Sequence, residues 1–263
     1  MPGRAGRGHL IGIGSPAALT RSGKSPALLA LHGFTGTPLE VELAVDVAEE
    51  LGLAAFAPLL PGHGTHARDL AKLRFDDWLA AAEEAFDTLA REHERVVVAG
   101  LSMGALLAVH LAATRSERVP GLVLMANACW LRAPFPSWAL SALALLKVPD
   151  FAFPKHASDI GDPEARAHNL TYSAQPVHAA IEVLKAGQRI RRELGRVRCP
   201  TLILHGARDR VCPAANARRV AELLGSRDKQ VVLFPNSHHI LTRDVERPRV
   251  RAELQRFFQR IAG

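Results

Sequence analysis

Residues 95–115 read RVVVAGLSMGALLAVHLAATR. The opening RVVVA is a short β-branched run of strand length, and the closing ALLAVHLAATR is apolar and of helix length. Between them stand Gly100, Leu101, Ser102, Met103 and Gly104. A turn that carries a strand directly into a helix leaves no space for side chains two positions either side of its apex, which is what glycine at both flanks supplies. Such a turn lifts the Ser102 hydroxyl out of the sheet. It also sets the Met103 N–H at a helix N-terminus, where the dipole favours a developing anion. A Gly/Ser turn can be mere punctuation, so the serine counts as a nucleophile only if the chain supplies its partners.

Outward from this stretch the same rhythm recurs. Short apolar runs stand at residues 27–33, 52–60, 121–128, 200–206 and 229–236, with helical patterns between them. The alternation predicts an α/β fold with a mostly parallel sheet and helices on both faces. The clearest amphipathic helix spans 76–92, with Trp78, Ala82, Phe86 and Leu89 on one face, and its aromatic residues belong to the core. The rhythm breaks at about 129–175, a stretch rich in proline and aromatics. We expect one domain over residues 1–263, with this stretch inserted as a cap or lid.

Composition narrows the function classes. The chain has 263 residues, 48% of them hydrophobic, which suffices for a sizeable core. No apolar stretch reaches membrane-spanning length, and residues 1–14 do not form a signal-peptide pattern, so the expectation is a cytoplasmic protein without stable membrane insertion. Cys129, Cys199 and Cys212 are odd in number and lack metal-site spacing, which argues against both a disulfide framework and a zinc site. The net charge is +7, and Lys185, Arg189, Arg191, Arg192, Arg196 and Arg198 cluster before residue 199. With no interleaved aromatics these residues read as a solvated helix face, and no nucleic-acid partner is expected.

A nucleophilic serine requires a base, a carboxylate to orient it and a second oxyanion donor. Asp209, in TLILHGARDRVCP, lies just beyond the carboxyl end of an apolar run, where ligands gather in open α/β sheets. A turn aspartate capping its own loop is the plain alternative, while Asp228 and Asp244 sit in more polar contexts. The base lies in VVLFPNSHHILTRD, where His238 and His239 compete. The loop HGFTGTP, residues 32–38, carries glycines that let the Phe34 N–H turn toward the serine, with the Phe34 ring lining an acyl pocket. His32 reads as a structural residue bonded within its loop.

These segments, with LPGHGTHARDL and FDDWLAAAEEAF, resemble the α/β-hydrolase superfamily, and more narrowly the bacterial carboxylesterases and monoacylglycerol lipases. The similarity runs from about residue 25 to 260. It implies the α/β-hydrolase fold, with a Ser102, Asp209 and His239 triad, oxyanion N–H groups at Phe34 and Met103, and no metal or other cofactor. It resolves the histidine pair in favour of His239, leaving His238 as its variable neighbour. It makes His63 and His66 part of a structural turn near the site mouth, and it sets Cys212 where relatives often carry an aliphatic residue, hence a packing role.

The resemblance implies hydrolysis of small-molecule carboxylic esters of short to medium acyl chain, monoacylglycerols among them. Trp138, Leu140, Leu143, Leu145 and Leu146, with Phe135, Phe151 and Phe153 nearby, suit an aliphatic chain, although most can be explained as packing of the cap. Of these, Trp138 and Leu143 join Phe34 as expected substrate contacts. A serine at 102 excludes relatives that use aspartate or cysteine there. Thioesterase, amidase and a low-turnover binding protein remain as alternatives.

Overall fold

Leu28 and Ala30 bury against one set of helices, while their neighbours Leu29 and Leu31 bury against another. Val97 and Ala99 alternate with Val96 and Val98 in the same way. Alternating residues of both runs are thus apolar on both faces, as a strand covered above and below must be. The computed structural model describes residues 8–132, 152–155 and 157–263. Its strands are β1 (Leu10–Ile11), β2 (Leu19–Arg21), β3 (Lys24–Leu31), β4 (Leu53–Ala57), β5 (Val96–Leu101), β6 (Leu122–Met125), β7 (Ala152–Pro154), β8 (Thr171–Tyr172), β9 (Ala174–Pro176), β10 (Thr201–Gly206) and β11 (Lys229–Phe234). The central sheet has the order β11-β10-β6-β5-β3-β4-β2. It is parallel except for β2, which runs antiparallel to β4. This is the α/β-hydrolase fold expected from the sequence.

The described helices are α1 (Glu42–Glu50), α2 (Ala67–Leu70), α3 (Phe75–Glu92), α4 (Met103–Thr114), α5 (Pro163–His168), α6 (Val177–Ile190), α7 (Ala215–Leu223) and α8 (Arg247–Ala262). Residues from α3, α4 and α6 fill the core on one face of the sheet, and residues from α1 and α8 fill it on the other. Helix α4 is apolar all round because it is buried all round, with Met103 through Val109 enclosed. Trp78, Ala82 and Phe86 of α3 are core residues, and Leu89 packs against the same cluster. Each fully buried side chain of this size contributes about 1.5–3 kcal/mol.

Two short ladders lie outside the central sheet. Strand β1 pairs with β8, setting Leu10 opposite Tyr172, and β7 pairs with β9. The Tyr172 hydroxyl donates to Gly62 O at 2.6 Å and accepts the Thr65 N–H at 3.1 Å, tying this region to the loop after β4. Residues 129–175, irregular by sequence pattern, contain β7, α5 and β8. Their short runs are too brief to leave a periodic signature. Trp138 and Leu143 lie outside the described residues, as do Phe135, Leu140, Leu145, Leu146 and Phe151.

Members of the basic run have local partners. Lys185 meets Glu182 at 3.0 Å, Arg189 meets Asp76 at 2.6 Å, and the Arg191 guanidinium lies 5.0 Å from the Trp130 ring centre. Among the described residues no helix is long and apolar enough to cross a membrane.

Candidate active site

Strand β5 ends at Leu101 and α4 starts at Met103, so Ser102 alone makes the turn. Its backbone sits at φ 57°, ψ −114°, a positive φ that costs a non-glycine residue on the order of 1–3 kcal/mol. The strain is held by its surroundings. The Ser102 N–H donates to Met125 O at 2.9 Å, and its carbonyl accepts the Ala105 N–H at 3.1 Å. A Cβ on Gly100 would collide with Gly104 O and stand 2.6 Å from Ala105 N. A Cβ on Gly104 would collide with Leu31 O and stand 2.7 Å from His32 O. Both flanking glycines therefore answer to backbone clashes, as the sequence suggested.

Asp209 lies three residues past β10 and is almost fully buried. Its Oδ1 accepts the Val211 and Cys212 N–H groups at 2.8 and 2.7 Å. Its Oδ2 lies 2.8 Å from His239 Nδ1 and 3.1 Å from His205 Nε2. Burial disfavours the carboxylate, but the two imidazoles outweigh it and hold Asp209 well below the usual range. Burial likewise disfavours charge on His239, and the Asp209 carboxylate beside it is the main opposing cause, holding the imidazolium well above its usual pKa.

The structure separates the two competing histidines. His239 faces Asp209, while His238 turns to Asp244, which accepts its backbone N–H at 2.6 Å and lies 3.1 Å from its Nδ1. Asp244 is not a solvated loop residue. It is 3% exposed and also accepts the Gly161, Asp162 and Val245 N–H groups, so it binds two loops together. Gly206 lets the end of β10 approach this loop, since a Cβ there would stand 2.8 Å from Ser237 C.

The loop after β3 is held from several sides. His32 Nε2 accepts the Leu60 N–H at 3.1 Å and its Nδ1 donates to Gly33 O at 2.9 Å, and burial pushes its pKa down to about 4. His63 Nε2 accepts the Thr35 N–H at 3.2 Å, and burial keeps this ring neutral too. His66 caps α2 by accepting the Arg68 N–H. The Phe34 ring packs edge-on against Trp78 with centres 5.9 Å apart. Met103 is buried, and as the first residue of α4 it has an N–H without a partner inside the helix.

Ser102, His239, Gly33 and Phe34 share one cavity of about 170 Å³, whose apolar wall includes Leu131 and Val183. Several neighbours escaped sequence reasoning. His205 lies inside an apolar strand run and reads as core. Asp159 accepts the Arg210 and His239 N–H groups at 2.9 and 3.3 Å, tying the acid loop to the base loop, yet it stands in the irregular stretch. Glu40 accepts the Gly33 N–H at 3.1 Å, and Lys155 donates to the hydroxyls of Thr35 and Thr171 at 2.7 and 2.9 Å. Burial raises the Glu40 pKa and lowers that of Lys155, with each opposing the other's shift. A glutamate before a helix and a lysine in a proline-rich stretch carry no sequence signal of such a pairing.

Residues 24–246 match the family described as serine aminopeptidase, S33. A thermostable monoacylglycerol lipase of Bacillus sp. is 30% identical over 236 residues, covering 90% of this chain and 91% of that protein. A carboxylesterase of Bacillus subtilis is 22% identical, covering 94% and 98%. A solved structure from work on the metagenome-derived lipolytic enzymes LipS and LipT superposes with a TM-score of 0.87 at 28% identity, covering 95% and 99%.

Proposed function

Because the chain belongs to the serine aminopeptidase family of α/β-hydrolases and is a carboxylic ester hydrolase, we propose that it cleaves esters of short to medium acyl chain through Ser102, His239 and Asp209. The observation that carries this reading is the strained Ser102 turn opening on the cavity that His239 also lines, with the His239 Nδ1 held 2.8 Å from Asp209. His239 takes the Ser102 proton as Oγ attacks the ester carbonyl. The Phe34 and Met103 N–H groups hold the oxyanion, and His239 then protonates the leaving alcohol. Water repeats the sequence on the acyl-enzyme. Asp209 fixes the tautomer and stabilises the imidazolium.

The apolar wall of the cavity supports an aliphatic acyl group, and its polar side, with Lys155, Glu40 and Gln175, supports an alcohol with hydroxyl groups. The relatives named for monoacylglycerol point the same way. In this reading residues 129–175 form the cap over the acyl group, with Trp138 and Leu143 as further substrate contacts.

The test pairs Ser102→Ala with an acyl-chain series of p-nitrophenyl esters run beside monoacylglycerols. Turnover in the variant should fall by on the order of 10⁴-fold or more, with loss of fluorophosphonate labelling and an unchanged fold. Undiminished hydrolysis in Ser102→Ala would sink the assignment. Labelling of the wild type without multiple turnover would favour a binding protein, and faster cleavage of matched thioesters or anilides would move the substrate class.

A further inference from the structure

Cys212 stands three residues beyond Asp209 and is fully buried. One donor atom each from Asp209, Cys212 and His239 lie within 4.8 Å of one another, the single such trio among the described residues. The mechanism above uses the carboxylate and the imidazole but not the thiol.

The three groups are pre-positioned. The Val211 and Cys212 N–H groups fix Asp209 Oδ1, and Asp159 holds the backbone at His239. Thiolate, imidazole and carboxylate together form a borderline-soft donor set, which suits Zn²⁺ and its analogues Co²⁺ and Cd²⁺ rather than Mg²⁺ or Ca²⁺. In tetrahedral zinc coordination, sulfur and nitrogen ligands stand about 3.5 Å apart. A spread of at most 4.8 Å exceeds this by about 1 Å, which is the distance the side chains have to close.

We propose that Asp209, Cys212 and His239 form an inhibitory binding site for a thiophilic divalent cation of the Zn²⁺ class. The cation binds Cys212 as thiolate, and the thiol proton goes to solvent. It binds His239 at Nδ1, whose proton is replaced by one on Nε2. Asp209 is already ionised, and no electron is transferred. With Nε2 protonated, the imidazole has no lone pair for the Ser102 proton, and the carboxylate that oriented the ring is engaged by the metal. Metal occupancy and base function exclude each other. The effect on turnover rests on the hydrolase reading, whereas the coordination itself does not.

The purified enzyme is titrated with Co²⁺ and with Zn²⁺, following thiolate-to-Co²⁺ charge-transfer absorption and hydrolysis of a p-nitrophenyl ester in parallel. The wild type should bind a single Co²⁺ per chain with a charge-transfer band, and Zn²⁺ should abolish turnover until a chelator restores it. Cys212→Val should keep turnover without metal, lose the band and be at least about 100-fold less sensitive to Zn²⁺, since even groups that only support a metal ligand are worth 10- to 100-fold. Cys212→Ala serves as the second variant should valine overfill the site. Inhibition without a charge-transfer band, or equal inhibition in the Cys212 variants, overturns the proposal. A band without loss of turnover overturns its inhibitory part. If the wild type cleaves no ester, the hydrolase reading fails and the absorption titration still decides the site.

Discussion

Gly104→Ala sets helix propensity against a backbone clash. Alanine inside a helix is favoured over glycine by about 1 kcal/mol, so propensity alone predicts a more stable protein. An added Cβ would stand 2.6 Å from Leu31 C and 2.7 Å from His32 O, and closer still to Leu31 O. These atoms are backbone at the end of a central strand, so no rotamer change relieves the contact. Overfilling a core costs about 1–3 kcal/mol, and contacts this short with fixed backbone put it at the upper end, about 3 kcal/mol, which leaves a net loss of about 2 kcal/mol. For a chain of this size that is a fall of roughly 4–8 °C in Tm. The displaced strand end leads directly into Gly33 and Phe34, and a misplacement of about 1 Å at a reacting centre costs on the order of 100-fold in rate. Thermal denaturation and p-nitrophenyl ester hydrolysis read the two effects. Gly52→Ala is the control, because Gly52 has φ +70° but nothing within 4 Å of its added Cβ. It should lose about 1 kcal/mol to backbone strain and keep its turnover. A Gly104→Ala protein as stable and as active as the wild type would refute the reasoning.

Three further outcomes follow from the site. Asp209→Asn should lower turnover by about 10⁴-fold. Because Asp209 raises the His239 pKa and the base must be neutral, the acid limb of its residual kcat/KM profile should move to lower pH, and an unmoved limb would separate the two residues. Burial holds His32 at about 4 and keeps His63 well below its usual pKa, so both rings stay neutral in the fold and take up protons on unfolding as pH falls below about 6.5. Stability is thus present above that pH and lost toward pH 4, with a slope of about 1.2 kcal/mol per pH unit near pH 5 from His32 and a further contribution of the same sign from His63, readable from urea midpoints across that window. Lys155→Met removes the two donated bonds that hold Thr35 and Thr171 and should cost about tenfold in kcat/KM with the fold intact, whereas an unchanged value would make the lysine a bystander.

Legibility in the sequence followed the range of the signal. Gly100, Ser102 and Gly104 announce themselves because a local turn dictates them, and Asp209 does so because it follows a strand run; the same signal leaves His238 and His239 level, and the family resemblance chooses between them. His205 does not, since a histidine in TLILHG carries no mark of the carboxylate it faces after the chain turns back. Asp159 joins the loops carrying Arg210 and His239, contacts spanning 51 and 80 residues that no periodicity encodes. Asp244 stands among polar neighbours in sequence, while its surroundings are set by backbone N–H groups from another loop. Strands β1 and β2 are too short for alternation to register, and only pairing with β8 and β4 gives them form.

The proposed base, His239, follows an edge strand of the sheet. Strand β11 is outermost, pairs only with β10, and exposes Val231 and Leu233 at 39% and 44%. Ser102 rests on β5, which is buried along its length. Local opening costs least where few buried apolar contacts hold the backbone, as along an exposed edge. In the proposed mechanism the expected consequence is that warming loosens the loop of His239 before it disturbs Ser102, so that turnover falls reversibly at a temperature below the melting point.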